Sequence, residues 1–174
     1  MARPSSRDRI LDAYEDILIE HGPSAVTLES VAAKASVSKG GLLYHFGSKD
    51  ALLNGLLERW SQLNEREIEH ARRAPEGIVR YYLHSSATDV GADAALHRTT
   101  MAAVRLVLFD ERVAEVSREV FERWRTVLRE HTADPVLAEL VATLGDGVYL
   151  RAAIGGNSEP ALHDLDAALE RIGL

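Results

Sequence analysis

The residues best suited to chemistry in this chain of 174 residues lie near its start, in the run SKGGLLYHF at residues 38–46. Gly40 and Gly41 stand side by side in a predicted short helix, where each costs about 1 kcal/mol relative to alanine. Folding does not require them, so we expect a second molecule to approach the backbone there. Their side of the helix also carries Tyr44 and His45, and the opposite side is apolar, with Leu42, Leu43 and Phe46. The chemistry of this stretch is that of a binding surface.

The starts of three predicted helices surround this surface with groups that suit a phosphate. Lys49 stands in a first helical turn, where the helix dipole disfavours a cation unless an anion is bound there. Thr27 begins one neighbouring helix, and Ser38 with Lys39 begins the other. Two short helices joined by a tight turn form the unit that places its second helix in a DNA major groove. The spacing therefore predicts a helix-turn-helix ringed by phosphate contacts.

The overall charge does not favour nucleic acid, because the formal net charge is −7. A DNA-binding domain usually carries a basic patch. Over residues 1–50 the bases Arg3, Arg7, Arg9, Lys34, Lys39 and Lys49 are nearly balanced by the acids Asp8, Asp12, Glu15, Asp16, Glu20, Glu29 and Asp50. The DNA prediction therefore depends on where individual groups lie.

Apolar residues recur at the helical period along almost the whole chain, and no alternating strand pattern occurs. The predicted helices cover residues 6–21, 27–35, 38–46, 48–73, 75–88, 93–109, 111–131, 135–154 and 160–171. This pattern predicts an all-α fold. A three-helix head at residues 6–60, with its helix-turn-helix at about 28–47, is joined by the long fourth helix to a helical body at 61–174.

The run TLESVAAKASVSKGGLLYHFGSKDALL, residues 27–53, resembles the DNA-binding domain of the TetR/AcrR family, and the resemblance extends over residues 7–60. It implies a double-stranded DNA partner with a pseudo-palindromic operator, and a body that binds a small effector and forms a homodimer. By position it implies DNA contacts from Thr27, Ser38, Lys39, Gly40, Gly41, Tyr44, His45 and Lys49. The family commonly has tyrosine where this chain has Leu43, and the helical wheel assigns Leu43 to packing.

Two helices of the body are the candidates for the dimer surface, which a head that covers one half-site requires. The candidate side chains are Val113, Val120, Trp124, Leu140, Leu144 and Val148. The alternative is that these apolar stripes face the protein's own core. Together with the resemblance, the pattern favours a ligand-responsive homodimeric repressor.

A pocket for a lipophilic effector is indicated by polar and aromatic residues on otherwise apolar helices. The candidates are Tyr81, His97, Met101, Arg105 and Asp146, each of which is alternatively a solvated or rim residue. A DNA-binding factor without an effector remains a second interpretation, because it shares every residue of the head.

The composition favours a cytoplasmic protein without a cofactor. The chain has no cysteine, its first residues are too polar for a signal peptide, and no apolar run is long enough for a membrane span. One metal-enzyme alternative rests on Glu67 and His70, the Glu-x-x-His pair of di-iron helical bundles. A second such pair is missing, so we expect this one to be solvated, with no metal and no catalysis.

Overall fold

The computed structural model describes residues 5–87, 94–155, 167, 170 and 171. Within these residues every regular element is helical, with eight α-helices and a single turn of 3-10 helix at Pro23–Ala25. The α-helices are α1 (Ser6–His21), α2 (Leu28–Lys34), α3 (Lys39–His45), α4 (Lys49–Ala71), α5 (Ile78–Ala87), α6 (Ala94–Val104), α7 (Glu111–His131) and α8 (Pro135–Gly155). The predicted all-α class is confirmed.

Three predicted helix ends differ from the structure. The sixth helix ends at Val104 rather than 109, because the amides of Leu106 and Phe109 bond to carbonyls three residues back and turn the chain. The fifth begins at Ile78, after the turn at residues 74–77, and the fourth ends at Ala71. The predicted helix at 160–171 lies outside the described residues except for 167, 170 and 171.

The chain divides into two compact units, and α4, α6 and α7 contribute residues to both. The first unit, called the head unit here, comprises Met1–Gln62 and Arg98–Val116. The second, called the body unit, comprises Leu63–His97 and Ser117–Leu174. Residues 98–116 thus belong with the head unit, although the sequence pattern placed them in the body. No helix among the described residues is both long and apolar enough to cross a membrane.

The core of the head unit is built from one face of each of its first four helices. Buried aliphatic residues come from α1, α2 and α4, and Leu42 and Phe46 bring the end of α3 into the same core. Gly55 in α4 makes room for Phe46, since a Cβ at this position would stand 2.6 Å from Cε1 of the ring. The close packing of Phe46 against α4 fixes the position of the end of α3.

A turn with one left-handed residue sets the angle between α2 and α3. Ser36 has a φ of 54°, and the amides of Ser36 and Val37 donate to the carbonyls of Ala33 and Ala32 at 3.1 and 3.0 Å. These two bonds form the Schellman motif that ends many helices, in which glycine is the usual left-handed residue. The turn places Ser38 directly at the start of α3.

A buried polar cluster joins α1, α4 and α6 within the head unit. The carboxylate of Glu15, fully buried, accepts hydrogen bonds from Thr99 Oγ1 at 2.7 Å and Arg98 Nε at 2.9 Å. Arg98 and Arg59 both donate to Asp12 Oδ1, at 2.7 and 2.6 Å. Burial raises the pKa of Glu15, whereas the contacts with Thr99, Arg59 and Arg98 oppose that shift. A charge in this core therefore depends on its partners from α4 and α6.

In the body unit α5 packs mainly against α8. Tyr82 on α5 lies against the backbone of Gly145 on α8, and its ring centroid is 4.9 Å from that of Trp124 on α7. The indole of Trp124 donates to Asn64 Oδ1 at 3.2 Å. These contacts bring four helices of the body unit together around two aromatic rings.

Candidate nucleic-acid interface

The side chains of α3 separate into a buried face and an exposed face. Leu42 and Phe46 are buried, whereas Tyr44 is 86% exposed and His45 packs edge-on against it with ring centroids 5.1 Å apart. Leu43 is 42% exposed, so its assignment to packing was wrong. The core needs only the two residues one turn apart, and Leu43 lies at the flank of that stripe.

The two glycines of α3 stand in different surroundings. A Cβ on Gly40 would meet no heavy atom within 4 Å, so nothing in the protein itself requires glycine there. A Cβ on Gly41 would lie 3.2 Å from Ser38 Oγ, which is a tight contact with the residue that caps the helix. At Gly40, therefore, the backbone is exposed without a side chain, although packing within the protein does not require glycine at this position.

Hydroxyl side chains cap α3 itself and its neighbours α2 and α4. Thr27 Oγ1 accepts the amide of Ser30 at 2.9 Å, and Ser38 Oγ accepts the amide of Gly41 at 3.0 Å. Ser48 Oγ accepts the amide of Ala51 at 3.0 Å and so begins α4 directly before Lys49. In each cap the hydroxyl oxygen is an acceptor, so its own O–H proton is still available to donate.

The two lysines of the surface differ in how they are paired. Lys39 Nζ donates to Glu29 Oε1 at 2.7 Å, and this contact lowers the pKa of Glu29 and raises that of Lys39. Lys49 is exposed and makes no ion pair within the described part of the chain. Sequence reasoning missed Glu29 as a partner, although it lies in the first turn of α2 beside the predicted surface. A lysine without an ion pair and an acid-paired lysine therefore flank α3, and the charge of Lys49 also helps to lower the pKa of Glu29.

Two family models match the chain, one up to the first part of α4 and the other from beyond its end. The model described as "Bacterial regulatory proteins, tetR family" matches residues 10–56, which include the whole surface just described. The model described as "Tetracyclin repressor-like, C-terminal domain" matches residues 76–172, more than half of the chain. The chain belongs to the TetR family. This TetR-family protein is thus a DNA-binding transcriptional regulator, and the match at residues 10–56 confirms the resemblance.

Curated and solved relatives agree with this membership. The transcriptional regulator BetI of Burkholderia cenocepacia is 27% identical over 166 residues, which cover 88% of this chain and 85% of BetI. A TetR-family member from Streptomyces coelicolor, SCO1917, is 23% identical, with a TM-score of 0.73 and coverage of 97% and 98%. The multidrug-binding protein EbrR, solved with malachite green, is 24% identical, with a TM-score of 0.69 and coverage of 97% and 96%. The two structures show the shared fold.

The five candidate effector residues fall in both units of this regulator. Asp146 is half-buried in the body unit, where Tyr82 Oη donates to its Oδ1 at 3.3 Å and burial raises its pKa. Tyr81 also belongs to the body unit and donates to Glu67 Oε1 at 2.9 Å. His97 is half-buried in the same unit. Met101 and Arg105 belong to the head unit, and Arg105 is exposed in the turn after α6. Tyr82 donates the hydrogen bond to Asp146, and the ring of Trp124, which was not among the candidates for this site, packs against that of Tyr82.

Four of the six candidate dimer residues are in the protein's own core. Val113, Val120, Trp124 and Val148 are all buried, so they do not present a surface to a second copy, and the alternative of stripes that face the core holds for them. Their stripes are apolar because they pack inward. Leu140 is 61% exposed and Leu144 is partly exposed, which leaves these two on the outer face of α8.

The expectation that the Glu67 and His70 pair is solvated is wrong for Glu67. Its side chain is buried and accepts the hydrogen bond from Tyr81, while His70 Nδ1 lies 3.8 Å away. Among the described residues no group of three or more potential ligands could hold a metal ion. Glu67 therefore acts as a structural acceptor between α4 and α5.

Proposed function

We propose that this TetR-family regulator is a homodimeric repressor that leaves a pseudo-palindromic operator when a small lipophilic effector binds its body. One observation carries the DNA part of the proposal. The outer face of α3 presents bare backbone at Gly40, which the protein's own packing does not require. A helix of this kind enters the major groove closely when no Cβ stands between its backbone and the base edges.

The groups around α3 support phosphate contacts on both sides of the groove. Thr27, Ser38 and Lys49 lie at the starts of three helices, where backbone amides and a side-chain proton or charge are available to a phosphate. Tyr44 and His45 extend from the end of α3. The ammonium group of Lys39 binds Glu29 in the protein alone. Lys39 therefore contacts a phosphate only after it has exchanged the carboxylate of Glu29 for that phosphate.

The outer face of α8 is the part of the body that we assign to the dimer. Val136, Leu140 and Leu150 are exposed at spacings of four and ten residues, with Thr143 and Gly147 exposed between them. At the period of an α-helix these residues lie on one face of α8, and exposed apolar stripes mark interaction surfaces. Leu140→Glu is expected to convert the dimer to monomers in analytical ultracentrifugation. A charge at exposed Leu140 does not disturb the monomer core.

The effector is proposed to bind beside Asp146, Tyr82 and Trp124. Asp146 accepts one long hydrogen bond of 3.3 Å from Tyr82, and the ring of Trp124 packs at a tilt against the same tyrosine. An apolar site with one polar anchor suits a lipophilic molecule that carries a single polar or charged group. The EbrR complex with malachite green shows that a protein of this fold binds an aromatic ligand.

The polar cluster of the head unit offers a route for the signal. Consecutive residues of α6 are engaged there, because Arg98 and Thr99 bind Glu15 and Thr100 Oγ1 accepts from Trp60 Nε1 at 2.9 Å. The preceding turn of α6 belongs to the body unit. A shift of α6 on effector binding therefore acts on α1 and α4, and a changed spacing between two heads no longer fits the groove repeat.

Selection of bound duplexes from random DNA tests the proposal. We expect a palindromic consensus with half-sites about one or more helical turns apart, bound by an even number of chains. A panel of lipophilic cations, acids and acyl compounds is then screened for ligands that raise the melting temperature and release the selected duplex. A non-palindromic consensus contradicts the dimer, and a duplex that no stabilising ligand releases favours the factor without an effector.

A further inference from the structure

We infer that Leu43 reads the C5-methyl group of a thymine in each half-site, which makes this exposed leucine a determinant of operator specificity. The inference rests on the proposed function in one respect, namely that α3 lies in the major groove. It assigns a base contact to a residue that the sequence pattern had placed in the core. The side chain is 42% exposed and has no packing role comparable to those of Leu42 and Phe46.

The helical arrangement places Leu43 on the face that meets the groove. At about 100° per residue, Leu43 lies about 40° around the helix from Lys39 and about 60° from Gly40. Gly40 is the bare backbone position, and Leu43 follows it by three residues, so the two share one side of α3. A backbone that comes close to the bases at Gly40 brings the neighbouring leucine methyls to the groove floor.

The chemistry of α3 favours apolar contact as one means of telling bases apart, beside the hydrogen-bonding groups of Tyr44 and His45. Bidentate base contacts come mainly from arginine, lysine, asparagine and glutamine, and aspartate or glutamate accepts from cytosine. The sequence of α3, KGGLLYH, contains only Lys39 from this set, and Lys39 is paired with Glu29. The major-groove feature that an aliphatic side chain distinguishes is the thymine methyl group. Leu43 is the exposed aliphatic residue in this helix.

The test removes single methyl groups from the DNA rather than atoms from the protein. In the duplex obtained by selection, each dT of a half-site is replaced in turn by dU, which lacks only the C5-methyl group. Dissociation constants are measured by fluorescence anisotropy at one fixed salt concentration. For the wild-type protein we expect one position at which dU weakens binding roughly fourfold per half-site, the effect expected for one buried methyl group.

Variants of exposed leucines identify the reader of that methyl group. Leu43→Ala is expected to bind dT and dU duplexes equally at the sensitive position, while Leu43→Met keeps most of the difference. Leu108→Ala is the matched control, because Leu108 is 90% exposed in the turn outside α3 and its truncation should leave the discrimination intact. Circular dichroism melting checks that all three variants remain folded.

Two results would overturn the inference without touching the proposed function. One is a selected consensus that tolerates dU at every thymine, and the other is a Leu43→Ala protein that discriminates dU as strongly as the wild type. Failure of the wild-type protein to select any sequence would instead refute the proposed function itself.

Discussion

Adding one methyl group at Gly40 is predicted to stabilise the protein and weaken its hold on DNA. Gly40 lies inside α3, and a Cβ there meets no heavy atom within 4 Å. Alanine is about 1 kcal/mol better than glycine in a helix interior, and no clash offsets this gain. For a chain of this size the gain corresponds to a melting temperature higher by roughly 2–4 °C.

The same methyl group has the opposite effect on the complex. If α3 approaches the groove as closely as bare backbone allows, Gly40→Ala introduces an overpacked contact, which costs about 1–3 kcal/mol in tightly packed interfaces. The operator affinity is therefore expected to fall by roughly 5- to 150-fold. Stability and binding change in opposite directions, which a general disturbance of the fold does not produce.

Thermal unfolding and fluorescence anisotropy with the selected duplex measure the two effects on the same preparations. Ser36→Gly is the matched control in the same head unit. It relieves the left-handed φ of 54° and is expected to add less than about 1 kcal/mol of stability after the entropy of the unfolded glycine is counted. It adds no atom to α3, so affinity should not change. A Gly40→Ala protein with wild-type affinity would refute the close approach of α3 to DNA.

Three further substitutions test individual contacts. Glu29→Gln frees Lys39 from its 2.7 Å ion pair and is expected to strengthen binding to all duplexes and steepen the salt dependence; weaker binding in anisotropy titrations would contradict the exchange of carboxylate for phosphate. Lys49→Ala is expected to weaken binding to all sequences and reduce the slope of log K against log salt by roughly 0.9 for the one phosphate that the lysine neutralises; an unchanged slope would remove Lys49 from the surface. Gly145→Ala is expected to destabilise the protein by about 1–3 kcal/mol in urea unfolding, because the new Cβ meets the buried ring of Tyr82; wild-type stability would show that the ring moves freely.

The sequence predicted best those parts of the fold that local signals determine. Thr27, Ser38 and Ser48 were identifiable as caps because a short polar side chain directly precedes each apolar helical pattern, and each makes its capping bond. Helix ends that depend on longer-range packing were less accessible. The end of α6 is an example, since nothing in residues 105–109 forbids a helix and the chain nevertheless turns there.

What the sequence could not decide is which side of an apolar stripe meets the protein's own core. The stripes of α7 and α8 each look suitable for a partner, but Val120, Trp124 and Val148 face inward and Leu140 faces outward. Periodicity gives the angle between residues and not the direction of the core. One signal was available and unused, because Glu15 follows Leu11 by four residues and precedes Leu18 by three on an otherwise apolar stripe. A carboxylate at such a position indicates a buried partner from elsewhere in the chain.

The pairing of charges in the head unit explains how an acidic chain presents a surface for DNA. Much of the acidity near the amino end is engaged by bases other than Lys49, since Glu15 and Asp12 bind Arg98, Glu20 binds Lys34 at 2.7 Å, and Asp50 binds Arg112 at 2.7 Å. A paired carboxylate projects a weaker field than a free one, and screening weakens it further beyond about 10 Å at 0.1 M salt. A phosphate near the start of α4 therefore meets Lys49 and the adjoining helix end before it meets the net charge of −7. A count of charges adds paired and unpaired groups alike, whereas a phosphate contact depends on local charge. Among the residues that the structure describes, Lys49 lies beside α3 without an ion pair, which is why we expect it to favour a phosphate there.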